Sequence, residues 1–153
     1  MELIQLLAEI DLFNGLHSEE LLAIAAICHQ KTFQHHAVIA RQGELSDELY
    51  IIASGFVEVL LEDMATTTNQ PVVHLGSGQI IGEISLLDQG PRSATLKSIS
   101  DLTIVYMIHR RDFEALCATN EKIGYIVMRN LALDLSFKLR HRNIRDRGRH
   151  ERL

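Results

Sequence analysis

The sequence predicts a mainly β domain, a small sandwich or barrel flanked by helices. Three observations lead there. From about Phe33 to Ile108, short β-rich runs follow one another, separated by Gly, Ser, Asn or Asp. The runs lie too close together to leave room for the helical crossovers of a parallel sheet. On either side of this region the apolar residues fall at helical spacing. At 153 residues and 46% hydrophobic content, the chain is long enough for one domain with a proper core and too short for two.

Taken in order, Leu3, Leu6, Leu7 and Ile10 recur at i, i+3, i+4 and i+7, as on one face of a short helix. In a second helix, Ser18 is the expected N-cap, Glu19 and Glu20 suit the positive end of the dipole, and Leu21, Ile24, Ala25 and Cys28 form the apolar stripe. The β-rich runs are AVIA, ELYIIAS, FVEVLLED, PVVHL, SATLKSIS and LTIVYMI. Ser54-Gly55 reads as a tight hairpin turn, and EDMATTTNQP as a polar hairpin loop expected to be the most mobile part of the domain. Helical spacing returns with Phe113, Leu116 and Cys117 on one face.

A long helical segment from about Asn120 to Asn143 then carries two apolar stripes, Met128, Leu131, Leu135 and Leu139 on one line and Ile126, Leu133 and Phe137 on the other. One flat sheet cannot bury both, so a second partner is expected: the N-terminal helices, a ligand under a lid, or another subunit. The domain is placed at 1–143, with a basic tail at 144–153.

The formal charge of −5 conceals an asymmetry. From Lys138 onward there are seven basic residues and two acidic ones, so the rest of the chain carries all of the negative excess. A solvated helix end accounts for such a tail better than nucleic-acid binding does. No run approaches the length of a membrane span, and the start MELIQLLAEI lacks the features of a signal peptide, so a cytoplasmic location is expected. Cys28 and Cys117 have no CxxC partner and are expected to be buried thiols within helical patterns.

The chemistry concentrates in GEISLLDQGPRSAT, residues 82–95. Gly76, Gly78 and Gly82 precede a short apolar run that can form one helical turn, and N–H groups at such a turn can receive an anion. Arg92, following the Gly90-Pro91 turn, can bring a planar fork of donors to the same point. Glu83 would be repelled by an anion unless the ligand also offers hydroxyl donors, and a ribose 2′-hydroxyl is such a donor. Carboxylate, guanidinium and turn together suit a phosphate joined to a ribose. Taken alone, Glu83 and Arg92 could equally form an ion pair within the domain.

The pattern Gly-x-x-x-Gly-Glu-x-Ser-Leu-Leu, followed by Pro-Arg-Ser-Ala-Thr, resembles the phosphate-binding cassette of cyclic nucleotide-binding domains. The resemblance runs from about Ile10 to Asn143 and includes LFNGL, RQGELSDELYIIASGFVEV and RRDFEAL. It implies an eight-stranded, jelly-roll-like β-roll with N-terminal helices and a C-terminal lid helix. By position it implies that Glu83 takes the ribose 2′-hydroxyl and Arg92 the cyclic phosphate, while backbone N–H groups from Gly82 through Ile84 to Ser85 complete the cradle. Ser93 would add a hydroxyl, and its place after the arginine leans to cAMP, leaving cGMP and cyclic dinucleotides open. Two departures stand out. QHHAVIA has His36 where many members have glycine, and no helix-turn-helix pattern follows residue 143, so DNA binding is not expected.

A metal enzyme of cupin type is the rival from another class, given eight histidines. Its spacing is missing: His35 and His36 are adjacent and would point to opposite faces of a strand, and His74 stands among apolar residues. No nucleophile, base and orienting group form a constellation. The expectation is a non-enzymatic cyclic nucleotide sensor, without metal or cofactor, that signals through its last helix to a protein effector or a second copy. The alternative is a scaffold of the same fold that binds no nucleotide.

Overall fold

The structure is a computed structural model that describes the backbone of residues 2–62 and 69–151; side chains at 62, 69–72 and 143–151 are outside the description. Two helices open the chain, α1 (Leu3–Ala8) and α2 (Ser18–Ala26), with a 3-10 turn Asp11–Phe13 between them. Ten strand segments follow: β1 (Cys28–Gln34), β2 (Val38–Ala40), β3 (Leu45–Ser46), β4 (Glu48–Ser54), β5 (Val57–Glu62), β6 (Asn69–Leu75), β7 (Ile80–Ile81), β8 (Gly90–Pro91), β9 (Thr95–Ser98) and β10 (Leu102–His109). A second 3-10 turn, Glu83–Leu86, sits between β7 and β8, and α3 (Arg110–Thr119) and α4 (Glu121–Glu151) close the order.

Eight of the strands form two four-stranded antiparallel sheets, β1-β10-β4-β7 and β2-β9-β5-β6, and the two-residue strands β3 and β8 clip together beside them. This is the expected β-roll with helices at both ends. The Ser54-Gly55 turn is not a hairpin, because β4 and β5 belong to different sheets. Gly55 has φ 85°, and a Cβ there would lie 2.8 Å from the Leu102 carbonyl oxygen, so the chain passes between sheets where only glycine fits. β5 and β6 do pair as a hairpin, and the middle of the loop expected to be mobile lies outside the described residues.

The α2 N-cap is His17 rather than Ser18, and Glu20 Oε1 accepts from the His17 N–H at 3.0 Å. The helix stops at Ala26, so Cys28 opens a strand instead of completing a helical stripe; its Sγ donates to the Ile24 carbonyl at 3.4 Å. Burial pushes the Cys28 thiol up to about 12, and burial followed by Glu114 raises Cys117; both are half-buried free cysteines. His35 and His36 form the turn between β1 and β2, their rings stacked 3.9 Å apart rather than on opposite faces of a strand. His36 has φ 70°, so it holds the left-handed conformation that the missing glycine would have supplied.

Two cores flank the first sheet. Leu49 and Ile51 of β4 and Ile108 of β10 pack with Leu7, Phe13 and Ile24 of the N-terminal helical segment and with Ile123, Val127 and Leu131 of α4. Tyr50, Ile52, Val105 and Met107, one residue out of phase, fill the roll with Val57 and Leu96 of the second sheet. The period of two along β4 and β10 feeds both cores.

The buried seam of α4 is Ile123, Val127 and Leu131, spaced four apart. Of the expected stripes, Leu131 is in this seam and Ile126, Met128 and Leu135 pack partly against it, whereas Leu133, Phe137 and Leu139 are exposed. The N-terminal segment is therefore one partner of α4. Lys122 reaches Glu20 at 2.8 Å, and the Asn130 side-chain amide donates to the Leu12 and Asn14 carbonyls at 2.9 and 2.8 Å. The helix backbone continues to Glu151, across the boundary expected at residue 143.

Candidate functional site

The segment 82–95 folds around a cavity of about 310 Å³ whose lining includes all six residues singled out in the sequence, Gly82, Glu83, Ile84, Ser85, Arg92 and Ser93. β7 delivers the chain to Gly82, which turns it at φ 79° into the 3-10 turn Glu83–Leu86. A Cβ at Gly82 would overlap Arg92 Nη1 and lie 3.2 Å from the Glu48 carbonyl oxygen, so glycine is required for both conformation and space. The Ser85 N–H closes the turn onto the Gly82 carbonyl at 2.9 Å, and that donor is spent within the turn. Ser85 itself is buried, with its Oγ 3.1 Å from Ser46 Oγ on β3. Ile84 and Ser93 are exposed at the cavity mouth.

Arg92 is fixed from its backbone outward. Its N–H donates to the Glu44 carbonyl and its own carbonyl accepts from the Gly43 N–H, both at 2.8 Å. The residue is only 9% exposed. Nη2 donates to the Glu48 carbonyl at 2.9 Å, and the guanidinium carbon lies 4.7 Å from the Tyr50 ring centroid. The Tyr50 hydroxyl donates to Glu48 Oε2 at 2.9 Å; burial, and then Glu48, push the phenol up to about 12. Among the described residues no carboxylate lies within ion-pairing distance of Arg92. A buried cation in the cavity lining is thus held by a ring and by a carbonyl that takes one of its five N–H donors.

Glu83 does not pair with Arg92. Its Oε1 accepts from Lys138 Nζ of α4 at 2.7 Å, and Lys138 also reaches Asp134 at 2.9 Å. Burial opposes the Lys138 charge, but Glu83 and Asp134 outweigh it and hold its pKa above the ordinary lysine value. In the sequence Lys138 shows only as the first of the seven basic residues near the end, and nothing there marks Tyr50 and Ser46, which support Arg92 and Ser85. All three contacts span 39 to 55 positions or cross between sheet and cassette, and no local spacing announces them.

Among the described residues no histidine lines this cavity. His74 pairs across the hairpin with Glu58 at 3.5 Å. Among the described residues, Asp47, Glu48 and His109 bring ligand-type atoms within 4.8 Å of one another, outside the cavity lining. No helix of the described residues is long and apolar enough to cross a membrane.

Comparison with known proteins agrees with this geometry. The family model described as "Cyclic nucleotide-binding domain" matches residues 30–120. A cyclic nucleotide-gated potassium channel of Rhizobium etli is 32% identical over 130 residues, covering 85% of this chain and 34% of the channel. The cyclic AMP receptor protein of Thermus thermophilus is 32% identical over 133 residues, covering 87% of this chain and 59% of that protein. The crystal structure of the Thermus thermophilus catabolite activator protein superposes with a TM-score of 0.77 at 31% identity, covering 88% of this chain and 61% of that one. The chain therefore spans about a third of the channel and three fifths of the receptor protein. With the matched segment containing the β-roll, the Gly82 turn and Arg92, the chain belongs to the cyclic nucleotide-binding domain family.

Proposed function

We propose that this domain is a non-enzymatic receptor for cAMP, working in the cytoplasm. The cyclic phosphate lies against Arg92, the ribose 2′-hydroxyl donates to Glu83, and N–H groups ahead of Ser85, together with Ser93, complete the seat. The observation that carries this reading is the state of Arg92: a buried cation that has no carboxylate partner among the described residues, at the edge of a cavity. Such a charge is costly unless an anion arrives to pair with it. At about 310 Å³ the cavity suits one nucleotide better than a dinucleotide of twice the size. Ser93 at the position after the arginine, and the name of the Thermus thermophilus relative, favour cAMP.

The output in this proposal is a change in α4, which touches the cassette through Lys138 and leaves Leu133, Phe137 and Leu139 exposed for a partner. A ligand moves the helix only through contacts made better in one position than in another. Calorimetric titration of the nucleotide-free protein with cAMP, cGMP and cyclic di-GMP tests the seat: saturable 1:1 binding is expected, tightest for cAMP, and no heat from any of the three removes the proposal. Amide exchange tests the output, with protection expected to rise at 82–95 and again across 126–139. Protection confined to the cassette would leave α4 a static support.

A further inference from the structure

Glu83 stands between two cavities. The first is the seat lined by Gly82, Ser85 and Arg92; the second, of about 270 Å³, lies between the 10–12 segment, the turn at 78–80 and α4. Glu83 lines both, whereas Lys138 and Asp134 line only the second. The ammonium therefore reaches the carboxylate from the side away from the nucleotide seat, and the two do not contend for the same space.

We propose that Lys138 is a positioning residue for ribose recognition: from behind the seat it holds Glu83 Oε1 and leaves the other carboxylate oxygen to the ligand. The inference rests on the seat proposed above. The Glu83 side chain is only 14% exposed while that of Lys138 is 58% exposed, so the contact immobilises the enclosed partner with a cation that stays partly in water. Asp134, one helical turn before Lys138, holds the ammonium at 2.9 Å and aligns it in advance. A glutamate left without Lys138 has three side-chain torsions to fix each time a ribose binds. The same bond joins the cassette to α4, so nucleotide affinity and docking of the helix favour each other by an equal factor.

The test is calorimetric titration of the full chain with cAMP and 2′-deoxy-cAMP in the parent, Lys138→Met and Lys138→Arg, with circular dichroism melts reporting the fold. For Lys138→Met, affinity for cAMP should fall about fivefold and affinity for the deoxy analogue less than twofold, as expected for one partly exposed ion pair. The discrimination between the two nucleotides shrinks accordingly. Lys138→Arg should restore most of it, and Asp134→Asn, which loosens the ammonium but leaves Glu83 its cation, should lose less of it than Lys138→Met. Equal losses for both nucleotides would reduce Lys138 to a structural tie, and tighter cAMP binding by Lys138→Met would make it a competitor; either result overturns the inference. Arg92→Ala separates the two levels. If Arg92→Ala binds cAMP within threefold of the parent, the seat itself is wrong; if it abolishes binding while Lys138→Met shows equal losses, only the role of Lys138 falls.

Discussion

Replacing Arg92 by methionine should remove nucleotide response while sparing the fold. In the ligand-free domain the guanidinium contributes one charge-assisted hydrogen bond to the Glu48 carbonyl, worth about 1.5–3 kcal/mol, and a contact with the Tyr50 ring worth about 0.5–2 kcal/mol. Against these stands the desolvation of the cation of a residue that is 9% exposed and has no carboxylate partner among the described residues, which costs several kcal/mol. The terms nearly cancel, and Arg92→Met should lie within about 1 kcal/mol of the parent in urea titration. With cAMP present the two separate. At a hundred times its Kd the ligand adds about 2.7 kcal/mol to the parent, raising Tm by roughly 5–10 °C for a domain of this size. The variant should shift by no more than about 1–2 °C at the same concentration, a loss of at least about 100-fold in affinity, in line with removing one member of a buried charge pair. Thermal melts followed by circular dichroism, with and without nucleotide, read both quantities. A variant that keeps more than half of the shift refutes the phosphate contact. One that loses more than about 3 kcal/mol without ligand shows Arg92 to be chiefly structural.

Gly82→Ala should cost about 1–2 kcal/mol of stability for its left-handed backbone and, by pushing on Arg92 Nη1, at least about tenfold in cAMP affinity by calorimetry. His36→Gly should stabilise the domain by about 0.5–1 kcal/mol in urea denaturation, because it relieves φ 70° at a position remote from the cavity. Glu20 is held below the ordinary carboxylate pKa, first by the Lys122 hydrogen bond and then by the His17 N–H. Its depressed folded pKa means that its contribution is complete above the ordinary glutamate value and is lost as pH falls through the lowered one. Glu20→Gln should flatten that part of the stability profile, and an unchanged acid limb would disprove the link.

The cassette is legible because its signals are local: glycines before a turn, a carboxylate after it, and an arginine behind Gly90-Pro91 all lie within the seventeen positions 76–92. Strands β4, β5, β6, β9 and β10 announced themselves through β-branched and apolar runs. β1 did not, because CHQKTFQ is mostly exposed and pairs only with β10 at the sheet edge. β3, β7 and β8 are two residues each, too short for any period to show. In α4 the sequence offers several apolar lines, and only packing selects Ile123, Val127 and Leu131 as the buried one. Ser54-Gly55 reads as a hairpin for a related reason: a glycine turn between strands looks the same whether the strands pair or part company between sheets.

Because β4 and β10 place alternate side chains in the helical core and in the roll, neither half possesses a boundary at which it could melt alone. Loss of the helices would bare Leu49, Ile51 and Ile108 on strands whose opposite faces anchor Tyr50, Ile52, Val105 and Met107. Damage on one side is thus charged to the whole domain. Leu131→Ala in the helical core and Leu96→Ala in the roll should each lower a single denaturation midpoint, with far-ultraviolet and tyrosine signals vanishing together. A protein that looks like two layers of different secondary structure is expected to unfold as one body.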